Sequence, residues 1–271
     1  LIINKNLQQK AFTDMYVSMW SDPDIGNASD DFAGCDTTLS LGYSYNGGAN
    51  DAVYGTTVPA AGFDFFQGPL VAGTPEDTAI FKGKYMPGMK NLPMTSFYFF
   101  INGDNVYTDP AQGIYETGTL GFYNLFEGKI STTGQPFVNP VTGVATPFTL
   151  SGDPVTGQGW VDGQLHAPGD RRIGMASGPF NMAYGDTQEV VVAEILAGGT
   201  AGIDRLTALT VLKDYDVAAQ FAYDNFFNLP KAPQQPKVTV SGLDNEIILS
   251  WGSDPDVVAL TEEYAKLGYE F

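Results

Sequence analysis

The chain has one cysteine, Cys35, and one histidine, His166, in 271 residues. A single thiol excludes an internal disulfide, and one His with one Cys cannot furnish a tetrahedral zinc site. A Ser-His-Asp or Cys-His arrangement would have to use His166, which sits in the turn-rich stretch LHAPGDRR. Cys35 lies between Gly34 and Asp36, where an anionic neighbour suppresses thiolate, so it reads as a small packed residue. Basic residues are scarce as well: 13 Lys and Arg stand against 31 Asp and Glu, a net charge of −18. That balance argues against binding nucleic acid, whose phosphates need Lys and Arg clusters, and disfavours an anionic membrane surface. No apolar run approaches the ~20 residues of a membrane-spanning helix, so direct insertion is not expected. The start, LIINKNLQQKAF, has neither an initiator Met nor a signal-peptide layout, and the end, KLGYEF, has no turn signal. Both ends read as cut from a longer polypeptide.

What is present describes a folded, strand-rich protein. Hydrophobic residues make up 43% and charged residues only 16%, the reverse of a disordered acidic chain. Aromatics at 13%, with 32 glycines and 17 prolines, favour short strands joined by many turns. FTDMYVSMW (12–20) alternates, as does 37–45 before the turn Asn46-Gly47-Gly48. MTSFYFFING (94–103) reads as a buried strand, and LGFYNLFEG (120–128) reads the same way. Residues 131–159, rich in Gly and Pro, read as an irregular excursion or long hairpin loop. GPFNMAYGDTQEVVVAEI (178–195) reads as a hairpin turning at Tyr184-Gly185-Asp186. Ile203, Leu206, Leu209, Lys213, Val217 and Phe221 recur at helical spacing between Gly202 and Pro230, which predicts one helix near 203–226. The expected fold is therefore mainly β: a β-sandwich, jelly-roll or Ig-like, with one helix, over residues 1–229. A stiff linker follows at 230–237, marked by Pro230, Pro233 and Pro236.

The stretch SDPDIGNASDDFAGCD (21–36) concentrates acid: Asp22, Asp24, Asp30, Asp31 and Asp36 occur without a basic residue among them. The nearest encoded cations in sequence are Lys10 and Lys82. Either the stretch is a solvated acidic loop whose aspartates make turns, or a hard cation sits within it. Calcium accepts six to eight oxygens and is abundant outside cells. Asp22, Asp24, Asp30 and Asp36 are the preferred Ca2+ ligands, with Asp31 and Asn27 as further candidates. The pattern departs from an EF-hand: Gly26 and Asn27 stand where a third ligand and the Gly belong, and Ala33 stands where the bidentate Glu belongs. A bespoke site in a β-loop is the reading that remains. GDRR (169–172), the densest basic patch, reads as an internal salt bridge. No glycine pattern follows a strand and opens a helix, so no phosphate loop is expected. Trp160, in the turn setting GQGWVDG, is the candidate for an exposed sugar-stacking ring; Trp20, Tyr43, Tyr45 and Tyr54 are weaker candidates.

At PKVTVSGLDNEIILSWGSDPD the chain resembles the opening of a fibronectin type III module: a proline-led strand, then a strand ending in Trp251. The resemblance implies an incomplete module over 238–271, with YEF beginning a third strand. DMYVSMWSDPDIGNASDDFAGCDTTLSLGYSYNG, together with RRIGMASGPFNMAYGDTQEVVVAEI, resembles a β-rich region that precedes such modules in large bacterial surface proteins of the type IX secretion route. That likeness implies an extracellular or cell-surface location but carries no established activity. The expected function is a non-catalytic structural or adhesive module, calcium-stabilised, engaging other domains of its polypeptide or neighbouring subunits in an extracellular assembly. A carbohydrate-binding module attached to an extracellular hydrolase is the alternative, with polysaccharide as partner. An enzyme built on paired carboxylates is the third reading.

Overall fold

The computed structural model describes residues 1–229 and 238–251. The chain divides into two compact units, Leu1–Asp224 and Asn225–Phe271. The larger unit is a sandwich of two antiparallel sheets. Its strands are β1 (Phe12–Ser21), β2 (Asp31–Asp36), β3 (Leu41–Asn46), β4 (Ala60–Gln67), β5 (Ser96–Ile101), β6 (Arg171–Met182) and β7 (Val191–Ala197). One sheet has the order β5-β6-β1 and the other β7-β4-β3-β2. The two helices among the described residues are α1 (Tyr115–Phe126) and α2 (Arg205–Asp224).

Strand alternation sorts side chains into layers. Ala33 and Cys35, Phe63 and Phe65, Phe97 and Phe99, and Ile173 and Met175 meet between the sheets. The opposite parity of the four-stranded sheet, Leu41, Tyr43, Tyr45, Ala60, Ile195 and Ala197, packs on Ala208, Leu209 and Leu212 of α2. The opposite parity of β5, Tyr98 and Phe100, packs on Leu125 of α1 with Phe122 and Phe126 alongside. The layers thus run helix, sheet, sheet, helix, and all six residues of β3 are buried because both of its faces are covered.

Two local expectations are corrected. Residues 120–128 are not a strand, because Tyr115–Phe126 forms α1, so the unit has a second helix. Gly118 and Gly121 resemble breakers in the sequence, yet they mark close approach. A Cβ on Gly118 would stand 2.0 Å from the Ala111 carbonyl oxygen, and one on Gly121 would stand 3.0 Å from Pro110. Residues 178–195 do not form a hairpin. The turn exists, with Gly185 at φ +88 and the Asp186 carboxylate accepting the Ala183 N–H at 2.7 Å. After it, however, Thr187–Gln188 pairs with Ile2–Ile3, and β7 joins β4 in the other sheet. The 131–159 excursion contains the short ribbon Phe137–Val138 with Ala145–Thr146 and sends Leu150 into the inter-sheet core.

In the smaller unit β8 (Val238–Leu243) and β9 (Glu246–Trp251) form an antiparallel hairpin, registering Val240 with Leu249 and Ser241 with Ile248. The linker expected at 230–237 and the third strand expected within 252–271 lie outside the described residues.

Candidate metal centre

Asp22 and Asp24 follow directly on the end of β1, and Asp170 directly precedes β6. Ser21 pairs with Ile173 in the antiparallel ladder between these strands. Continuing that register carries residue 24 toward residue 170, so two acidic segments far apart in the chain converge. One carboxylate oxygen from each of Asp22, Asp24 and Asp170 lies within 4.8 Å of the other two. Arg172 is the neighbouring base. Its Nη1 pairs with Asp109 at 3.2 Å, while its Nε is 3.9 Å from Asp170, too far for a hydrogen bond. Burial, then the charges of Asp24 and Asp170, push the Asp22 pKa up, with Arg172 opposing and Asp109 adding to the rise. Such a set of oxygens suits a hard cation. Calcium takes six to eight, leaving the remaining positions to second carboxylate oxygens, backbone carbonyls or water.

The other expected ligands have different surroundings. Asp36 is paired with Lys213 of α2 at 2.9 Å and accepts Thr38 Oγ1 at 2.7 Å. Burial would raise its pKa, but these bonds outweigh burial and hold it below the usual carboxylate range. Asp36 is therefore corrected from cation ligand to ion-pair partner: the base missing from the local sequence arrives from a helix 177 residues on. Asn27 turns its carbonyl to Ser29, accepting the N–H at 3.4 Å and Oγ at 2.9 Å, and caps the 3-10 turn Ala28–Asp30. Asp30 ends that turn, and its main-chain oxygen accepts the Gly47 N–H at 2.6 Å.

Asp31 is only 1% exposed. Its Oδ2 accepts the Ile25 N–H at 2.9 Å, and its Oδ1 has no hydrogen-bond partner. Burial drives its pKa up to about 7 against the Ile25 bond, with the charges of Asp30, Asp24 and Asp51 adding to the rise. Asp51, not singled out from the sequence, ties the loop down. It accepts the Val53 and Tyr54 N–H groups, both at 2.7 Å, and the Asn27 N–H at 2.8 Å. Gly26 has φ +74, and a Cβ there would stand 2.3 Å from Asp51 Oδ1, so conformation and space both require glycine.

Asp170 was not among the expected ligands, although it lies inside GDRR. The two arginines of that motif draw the eye, and nothing local joins residue 170 to residues 22 and 24. The internal salt bridge expected there is present. Arg171 Nε and Nη2 donate to Asp162 at 2.9 and 3.3 Å, and Nη2 also donates to the Ala167 carbonyl at 2.6 Å. Both side chains of the pair are 1% exposed, and Asp162 Oδ2 further accepts the Ala33 N–H at 2.9 Å. The bridge thus closes the 162–171 loop at whose end Asp170 stands.

Trp160 is corrected from exposed ring to core residue. It is 2% exposed and packs between the sheets. The glycines beside it produce this burial: Gly159 has φ +78, and the Gly152 N–H donates to the Trp160 carbonyl at 2.8 Å, folding the loop back so that the ring points inward. Tyr43 and Tyr45 are also buried, whereas Trp20 and Tyr54 are exposed. Cys35 is buried with Sγ 3.4 Å from the Thr149 carbonyl, and burial, then the Asp36 charge, push its thiol pKa well up. His166 lies edge-on to Tyr107, 5.3 Å between ring centroids. No helix among the described residues is long and apolar enough to cross a membrane. No protein-family model matches the chain, and no curated protein or solved structure matches it significantly.

Proposed function

We propose that this chain is a non-catalytic structural or adhesive module of a multidomain surface protein, stiffened at one end of its sandwich by calcium. The observation that supports the cation is the convergence of Asp22, Asp24 and Asp170, from segments about 150 residues apart, within 4.8 Å of one another. Asp22 and Asp24 are exposed and Asp170 is half-buried, and like charges at that separation repel by ~1 kcal/mol per pair in water. The neighbouring base, Arg172, pairs with Asp109 at 3.2 Å and reaches Asp170 only at 3.9 Å. A bound divalent ion would replace that repulsion with attraction and tie the end of β1 to the start of β6, which are two strands of one sheet. A module loaded along its strands needs its strand ends held together, and extracellular calcium at millimolar level suits a weak site of this kind. The β-rich fold with no disulfide and the resemblance of its sequence to surface-protein regions support the display reading.

The test is calorimetric titration of the full chain with calcium, paired with thermal unfolding in calcium and in chelator. We expect a dissociation constant of about 10⁻⁴–10⁻³ M, as in extracellular modules, and a melting midpoint that falls on chelation. Asp170→Asn should remove most of that difference while leaving the chelator-state midpoint within a few degrees of the parent. An unchanged midpoint on chelation, with no binding heat, would sink the cation reading.

A further inference from the structure

Helix α2 runs along β4 in step with it. At one point of the contact, a Cβ on Gly62 would stand 3.1 Å from Leu212 Cδ2. Four strand residues on, the Phe66 carbonyl accepts Gln220 Nε2 at 3.2 Å. Asp64 lies midway between those two contacts on the α2-facing side of β4, and Asp216 lies midway between Leu212 and Gln220 on the sheet-facing side of α2. Two strand residues advance ~6.6 Å and four helical residues ~6 Å, which brings Asp64 and Asp216 to the same level of the contact, where the Asp216 charge bears on Asp64. Both residues are 1% exposed. Both Asp64 oxygens and Asp216 Oδ1 are buried without a hydrogen-bond partner. The other charged groups facing the pair are already engaged: Asp224 accepts Gln220 Nε2 at 2.7 Å, and Asp36 of β2 is held by Lys213 at 2.9 Å.

We propose that Asp64 and Asp216 share one proton, making the contact between α2 and the sheet an acid-locked joint that loosens when the proton leaves. With one proton, the O–H of one carboxyl donates to the carboxylate of the other and gives these buried oxygens a partner. Without it, two anions face each other where little water screens them. Burial, reinforced by the Asp216 and Asp224 charges and opposed by the Phe65 N–H, holds the Asp64 pKa up to about 8, and burial, then the Asp36 charge, holds Asp216 up to about 7. The joint weakens progressively as pH rises from the ordinary carboxylate range through about 7 and 8, and the loss levels off above that.

Hydrogen exchange of the full chain, corrected for the intrinsic pH dependence of exchange, tests this on peptides covering 205–224. Protection of α2 should fall at least about tenfold between about pH 6 and pH 9, and Asp64→Asn, whose amide donates to Asp216 without ionising, should abolish most of that fall. The same pH dependence in Asp64→Asn would overturn the proposal. So would a fall that appears only in chelator, which would put a cation in the proton's place. If the variant does not fold, carboxyl-carbon NMR of the parent decides: coupled titration of the pair at about pH 7 to 8 supports the shared proton, and two ordinary titrations near about pH 4 overturn it.

Discussion

Arg171 and Arg172 are adjacent in sequence and differ completely in setting. Arg171 is sealed against Asp162 with both side chains 1% exposed, whereas Arg172 reaches Asp109 with side-chain exposures of 20% and 24%. Removing one partner of a buried pair strands the other charge, which costs ~3–5 kcal/mol. Asp162→Ala should therefore lower unfolding stability by about that amount in urea, with the Ala33 N–H losing its acceptor as well. Lys213→Ala, whose pair with Asp36 is 22% exposed on each side, should cost under ~1 kcal/mol. A smaller loss for Asp162→Ala than for Lys213→Ala would reverse this ranking. At this scale the sequence shows which residues are charged but not which charges meet. The internal bridge in GDRR was legible, because two arginines in a turn-rich segment need acids. Its partner was not, and neither was the pairing of Asp36 with Lys213.

Elements were legible where one periodicity dominated. β1 alternates, β5 is an unbroken aromatic run bounded by turn signals, and α2 carries Ala208, Leu209, Leu212 and Asp216 on its buried side. α1 was misread because its aromatics suit a strand and its glycines suit a turn. Gly118 makes the reason measurable. Helix propensity alone favours Ala over Gly by ~1 kcal/mol, but a Cβ at 118 would stand 2.0 Å from a backbone oxygen that cannot swing aside. Overpacking of this kind costs ~1–3 kcal/mol, so the clash outweighs propensity. Gly118→Ala should lower the urea midpoint, while Thr119→Ala, on the exposed side, should leave it unchanged or raise it. A stabilised Gly118→Ala would mean that the helix is not seated against Ala111.

For the whole molecule, buried acids set the pH dependence. Asp31, Asp64 and Asp216 have folded pKa values of about 7, 8 and 7, above the ordinary 3.8. Between those limits the folded state binds more protons than the unfolded one, so stability falls as pH rises through the window and levels off above about pH 8. Asp36 and Asp51 are shifted the other way. Their contribution is present above the ordinary carboxylate value and is lost as pH falls through their folded values. Stability in chelator should peak near about pH 5 and decline toward about pH 9, as thermal unfolding across buffers would register. A net charge of −18 adds self-repulsion that grows as the remaining acids ionise. Added salt should therefore raise the midpoint more at about pH 8 than at about pH 5. A midpoint that climbs steadily with pH would contradict the buried-acid account.

Sequence alone was enough for the strand-rich class, the absence of disulfides, the acid excess and the helix expected near 203–226. These follow from composition and from the direction of each Cβ along its own backbone, which are local properties. Tertiary structure alone decided that β6 and β7 belong to different sheets, that Trp160 turns inward, and that Asp170 rather than Asp36 joins Asp22 and Asp24. Those outcomes depend on ladder register and layer packing, which bring together residues too far apart in the chain for any local pattern to relate them.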